Sequence, residues 1–222
     1  MGTRNLTMVL MNNEIRVAQY GQWDGYPTGS GVSIFTFLRN MLNSHQEQIF
    51  QQKVNLSYSI NDLQEEEILK KIAESLNIVY IKGCIDNNNY SKLYSEYDRQ
   101  YPQINRDMGA EILDFILSAE KPFPLYLSTD FAKDSLFCEW AYLVNFDSRS
   151  VEVYRGFNKE PLTEEDRFFY LSPSEKEIEK EKRKYGENEF FYPIKKIKEY
   201  SFNDIQTWKN IKSRMQNFEK NS

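Results

Sequence analysis

Two alternating runs late in the chain constrain the fold most. LFCEWAYLVNF (136–146) and SVEVYRGF (150–157) are rich in aromatic and β-branched residues and are separated by the turn formers Asp147 and Ser148. Short runs of this kind, bounded by turn residues, read as the two strands of an antiparallel hairpin. The N-terminal segment repeats the pattern. NLTMVLM and IRVAQY flank Asn12 and Asn13, which accept the positive φ that a tight hairpin turn demands.

Between and after these hairpins the apolar spacing changes to that of helices. Ile34, Phe35, Leu38, Met41 and Leu42 mark one helical face. Asn61 with Gln64 three residues on forms a capping-box signal, and the stripe Leu69, Ile72, Ala73 and Leu76 follows it. NIVYIKG reads as a short strand or as the packed end of that helix, and DNNNYSKLYSEYDRQYP as an irregular, tyrosine-rich excursion. A further helix is expected from near Asn105, with Met108, Ile112, Phe115 and Ile116 on one face, followed by a strand at PLYLST. SPSEKEIEKEKRKYG reads as a solvated charged helix with Ser172 as cap, Pro173 first, Glu175 closing the box and Gly186 as stop. EFFYPIKKIKEY is expected as a last strand, with a helix from about Asn203. The fold class is therefore α+β: one domain over 1–222, with a mainly antiparallel sheet built from hairpins and helices packed on it. Within it, 1–160 form the core and 161–222 a charged helical C-terminal extension.

At 222 residues the chain is long enough to bury a proper core. A formal charge of −5 disfavours non-specific nucleic-acid binding, which needs a basic surface. No stretch reaches the roughly 20 apolar residues of a membrane span, and a signal peptide is not expected. Cys84 and Cys138 lack metal-ligand spacing and are too few for a disulfide framework, which suits a reducing cytoplasm. His45 is the one histidine, so a Ser-His-Asp or Cys-His triad or a histidine metal site would have to use it. Its position after RNMLNS reads instead as a helix C-terminus. No metal and no cofactor are expected.

The chemistry-bearing stretch is AQYGQWDGYPTGSG (18–31), which holds four of the nine glycines. A strand, a glycine-rich loop and a helix together aim backbone N–H groups at an anion. Walker and dinucleotide fingerprints are both incomplete, because no Walker lysine is present and Ile34 stands where the third glycine would fall. In this reading Gly29, Ser30 and Gly31 face a phosphate, Trp23 and Tyr26 stack on a ring, and Asp24 accepts from hydroxyls or caps the loop's own amides. Gly25 of the same loop and Glu139 are also expected among the ligand-binding residues. Glu139 is expected on a strand, sharing a face with Phe137, Ala141 and Leu143 while Cys138, Trp140 and Tyr142 face the other side. Arg4 and Arg106 are its candidate partners. Arg106 is expected in a first helical turn, where it works against the dipole and so points at an acid or a ligand.

The start MGTRNLT, the loop YGQWDGYPTGSG, the helix start NRDMGAEIL and the hairpin CEWAYLVNFDSRSVEVYRGF together resemble a family of short phage, bacterial and fungal proteins. The resemblance spans about the first 160 residues and brings no activity with it. It implies roles for Arg4, Trp23, Asp24, Gly25 and Tyr26, and a phage setting would imply accessory or counter-defence work in the host cytoplasm, including capture of nucleotide signals.

The function expected is non-enzymatic binding of a nucleotide-like or phosphorylated signal molecule on the Trp-Asp-Gly-Tyr-Pro loop, with charge from Arg4 and Arg106. One alternative is a hydrolase or transferase with Asp24 and Glu139 as acid and base, or an N-terminal-nucleophile arrangement. Another is a protein-binding inhibitor whose exposed aromatics form an interface. Self-association or a protein partner fits the last of these.

Overall fold

The computed structural model describes residues 2–82, 84–186 and 190–222. Its centre is a five-stranded sheet whose strands lie in the spatial order Glu14–Gly21, Asn5–Met11, Trp140–Asn145, Ser150–Arg155 and Lys195–Ser201. The first hairpin is β1 (Asn5–Met11) and β2 (Glu14–Gly21), and its turn residues Asn12 and Asn13 take φ of 57° and 60°. The second is β5 (Trp140–Asn145) and β6 (Ser150–Arg155), and β7 (Lys195–Ser201) adds antiparallel to β6. β1 and β5 join the two hairpins in parallel, with Asn5 opposite Trp140. The sheet is mainly antiparallel and the fold is α+β, as the patterning implies.

One face of the sheet carries the helices. Trp140, Tyr142, Val144, Val151 and Val153 point into a core shared with α1 (Val32–Asn43), α2 (Glu47–Val54) and α5 (Ile112–Ser118). α1 buries Ile34, Phe35, Phe37, Leu38, Met41 and Leu42, each such side chain contributing about 1.5–3 kcal/mol of transfer free energy. The same core receives Phe202 and Ile205 of α7 (Phe202–Thr207), Trp208, and Ile211 and Met215 of α8 (Ile211–Lys220). The segment 161–222 thus holds the charged helix α6 (Glu175–Tyr185) and also supplies an edge strand and part of the main core.

The opposite face is covered by irregular chain, with Ala132, Leu162, Phe168 and Ile194 on Leu6, Met8, Ala141 and Leu143. A buried charge sits here. Glu152, mid-strand in β6, accepts from Asn145 Nδ2 (3.0 Å), from the Tyr154 hydroxyl, and from Arg167 Nε and Nη2 (3.1 and 2.6 Å). Burial pushes its carboxyl up, but the Arg167, Tyr154 and Asn145 hydrogen bonds outweigh burial and hold it below the usual range. Arg167 thereby ties the chain around Phe168 to the sheet.

A satellite of α3 (Asp62–Ser75) and α4 (Asn87–Gln100) packs its own small core of Leu69, Ile72, Ala73, Ile78, Leu93 and Tyr97 beside the short parallel pair β3 (Ser57–Ser59) and β4 (Phe123–Leu125). The Asn61–Gln64 capping box forms as expected. Several expectations are corrected. Residues 87–100 are a helix, not an irregular excursion, because Asp86 caps Asn88 and Asn89 and the tyrosines fall at helical spacing. NIVYIKG is neither strand nor helix in its described residues, and Ile78 alone of its apolar side chains is buried in the satellite core. The helix expected from Asn105 begins at Gly109 with a tight turn and becomes α-helical at Ile112. PLYLST contributes only its first two residues to β4. The cap of α6 is Ser174 with Glu177 closing the box, two residues later than expected, since Ser174 is the last extended residue. Gly186 does end that helix.

Candidate functional site

The Trp-Asp-Gly-Tyr-Pro loop follows β2 and wraps the N-terminal end of β1. Asn5 of β1 donates Nδ2 to the Trp23 carbonyl (3.0 Å), Gly25 N–H donates to Thr3 O (2.9 Å), and the buried Tyr142 hydroxyl donates to Gly25 O (2.9 Å). Gly25 is required by close approach, since a Cβ there would lie 2.8 Å from Thr3 O. Asp24 takes the left-handed conformation (φ 52°), and its carbonyl accepts from Ser30 N–H (2.7 Å). Asp24 thus caps the loop through its backbone oxygen, while its exposed carboxylate makes no hydrogen bond among the described residues.

The amides expected to cradle a phosphate are already engaged. Gly29 and Gly31 donate to Tyr26 O (2.9 and 3.2 Å), Ser30 to Asp24 O, and Thr28 N–H and Oγ1 to Glu219 Oε2 (3.0 and 2.7 Å). The anion at this turn is a carboxylate of the chain itself, 191 residues away in sequence. The N–H groups of Gly29, Ser30 and Gly31, expected to face a phosphate, are bonded within the loop, because a single wide helical turn closes its own N–H groups.

The other expected residues gather at the same end of the sheet without forming the pairs anticipated. Trp23 (52% exposed) and Tyr26 (46%) present their rings to solvent, and Trp23 Nε1 donates to Asp107 Oδ1 (2.8 Å). The turn carrying Arg106 and Asp107 is joined to the loop by Gln22 N–H on Arg106 O (3.1 Å). Arg106 is exposed and stands ahead of the helix, not in its first turn. Glu139 precedes β5 at a tight turn and is half-buried. Cys138 therefore faces the irregular side with Ala141 and Leu143, contrary to strict alternation. Arg4 stacks over Phe137 (4.6 Å to the ring centre), and among the described residues neither Arg4 nor Arg106 forms an ion pair with Glu139. His45 is exposed after α1 with φ 56°, and among the described residues no group of three His, Cys, Asp or Glu side chains could hold a metal.

The arrangement best suited to a ligand lies beside this loop, on the helical side of the sheet edge. A groove of about 630 Å³ opens between β7 and α8, with Arg155, Lys198 and Arg214 around Tyr200, Trp208 and Phe218. Each cation lies over a ring: Arg155 over Trp140 (5.2 Å), Arg214 over Trp208 (4.9 Å) and Lys198 over Tyr200 (5.7 Å). None of the three forms an ion pair or a side-chain hydrogen bond among the described residues. Burial pushes the Tyr200 phenol up from its ordinary value. No carboxylate, histidine or thiol lines the groove among the described residues. These residues escaped the sequence reading because Arg155, Lys198 and Arg214 belong to three elements with no shared motif. The one signal was the basic, aromatic character of KKIKEY followed by Trp208 and Arg214.

No family model, no curated protein and no solved structure matches this chain. Among the described residues no helix is long and apolar enough to cross a membrane.

Proposed function

We propose that this protein binds a small anionic, ring-bearing molecule of nucleotide type and releases it unchanged, with the β7–α8 groove as its seat. One observation carries the reading: three cations without a carboxylate partner converge on aromatic rings around a single groove, in a chain of net charge −5. The volume lies within the usual 300–1,000 Å³ range of small-ligand sites. A guanidinium lying over a ring keeps its N–H donors available for phosphate oxygens. Phe218, half-buried beside the groove, offers a face for a base or sugar. With no Asp, Glu, His or Cys side chain among the described groove residues to act as a base or to activate a hydroxyl, holding fits better than turnover.

The test is titration of the purified protein with AMP, adenosine and inorganic phosphate, followed by tryptophan fluorescence, with mass spectrometry of the recovered AMP. AMP is expected to bind more tightly than either fragment and to be returned intact. Arg214→Ala is expected to weaken AMP binding about tenfold, as the loss of one charge-assisted hydrogen-bonding group implies. AMP binding unaffected by Arg214→Ala removes the groove as the seat, and recovery of altered AMP replaces this reading with an enzyme.

A further inference from the structure

The glycine-rich loop and the groove are mechanically joined. Glu219 on α8 follows Phe218, which lines the groove, and its Oε2 accepts both Thr28 N–H (3.0 Å) and Thr28 Oγ1 (2.7 Å). Thr28 sits in the rigid part of the loop: Pro27 opens the turn, Gly29 and Gly31 donate to Tyr26 O, and Ser30 donates to Asp24 O. The loop is in turn fastened to the sheet by Tyr142 on Gly25 O (2.9 Å).

α8 is otherwise held mainly from its first half. Ile211 and Met215 are buried in the core, whereas Phe218 is half-buried and touches Trp140 and Tyr200 only edge-on, at 6.2 Å between ring centres for each. Its last turn, which carries the groove wall at Phe218 and follows Arg214 by one turn, lacks a deeply buried anchor. A carboxylate accepting two hydrogen bonds from one residue is a strong tie for such a turn.

We infer that the Trp-Asp-Gly-Tyr-Pro loop is the positioning element of the ligand groove and acts through a Thr28–Glu219 clamp on α8; this rests on the groove being the ligand seat. Thr28 and Glu219 touch no ligand. They set where Phe218 and Arg214 stand, and the loop's exposed face is free for other contacts. The glycines of the loop then serve to bring Thr28 within reach of α8, not to approach a phosphate.

Electrostatics separates this role from a through-space one. Removing a negative charge from the helix that carries Arg214 would, by Coulomb attraction alone, tighten the binding of an anion. A clamp requires the opposite sign. In Glu219→Ala and Thr28→Val, AMP is expected to bind about tenfold more weakly than in the unaltered protein, the scale of losing a hydrogen bond to a charged group. Amide hydrogen exchange at residues 215–220, measured without ligand, is expected to rise by about the same factor. Thr28→Ser, which keeps the hydroxyl, is expected to restore both. AMP affinity unchanged or increased in Glu219→Ala overturns the clamp while leaving the ligand seat standing, and so does unchanged exchange. An unaltered protein that ignores AMP overturns the ligand seat, and the exchange measurement then decides the clamp by itself.

Discussion

Arg167→Ala is expected to lower the free energy of unfolding by about 3 kcal/mol, measured by urea denaturation at pH 7. The substitution leaves the Glu152 carboxylate, 4% exposed, without its bidentate guanidinium partner, and an uncompensated buried charge is among the costliest single defects. Arg167 is itself about one-third exposed, so the lower end of the range for a broken buried pair applies. The same change frees the segment that places Phe168 on the sheet, so the loss extends to packing.

The pH dependence of that loss has a definite sign. Glu152 in the folded protein titrates below its ordinary value of 4.5, so its contribution to stability is complete above that pH and is lost as pH falls through the folded value. In Arg167→Ala the buried carboxyl no longer has the cation that opposed burial, and protonation relieves it. The gap between the two proteins is therefore expected to be widest near neutrality and to narrow as pH falls through the range in which the Arg167→Ala protein protonates its buried Glu152. Glu199, held low by hydrogen bonds from Ser150 and Lys196, adds an acid limb common to both proteins. A gap independent of pH would show that Glu152 is not the group responsible.

Gly29→Ala is expected to cost about 2 kcal/mol in the same denaturation measurement, the scale of an overpacked site. A Cβ at this position would lie 2.3 Å from Asp24 O, a backbone atom that cannot swing aside. Relief requires moving the Asp24 carbonyl away from Ser30 N–H, which breaks a 2.7 Å hydrogen bond and displaces the turn that carries Thr28. Destabilisation should therefore be accompanied by weaker AMP binding in the groove, even though Gly29 lies outside it. A variant as stable as the parent would show that the turn tolerates a wider path.

Much of the architecture is legible locally. The two hairpins are visible because alternation of β-branched and aromatic side chains matches the pleat, and because Asn12 and Asn13 accept the positive φ of a tight turn. α1 is visible because Ile34, Phe35, Leu38, Met41 and Leu42 all bury on one side, as their spacing requires. α4 was harder: in fourteen residues it buries only Leu93 and Tyr97, so its polar composition conceals a helical stripe written in tyrosine. Glu139 misled for a related reason. The chain turns between Phe137 and Glu139, so the alternation of β5 does not extend back to Glu139 and Cys138.

The loop at 18–31 marks the division most clearly. Its tightness follows from its own residues, since glycine spacing, Pro27 and the left-handed Asp24 are local conformational facts. The N–H groups of Gly29, Ser30 and Gly31 are closed within the turn itself, whereas the partner of Thr28 N–H is Glu219, placed there by the packing of α8 on the core. The groove has the same origin. Arg155, Lys198 and Arg214 are ordinary cations along the chain and come to line one groove only when β6, β7 and α8 bring them together. Periodicity and turn chemistry are short-range and survive in the order of the residues. The partner of a hydrogen bond or the neighbour of a charge is a long-range fact, and only the folded packing decides it.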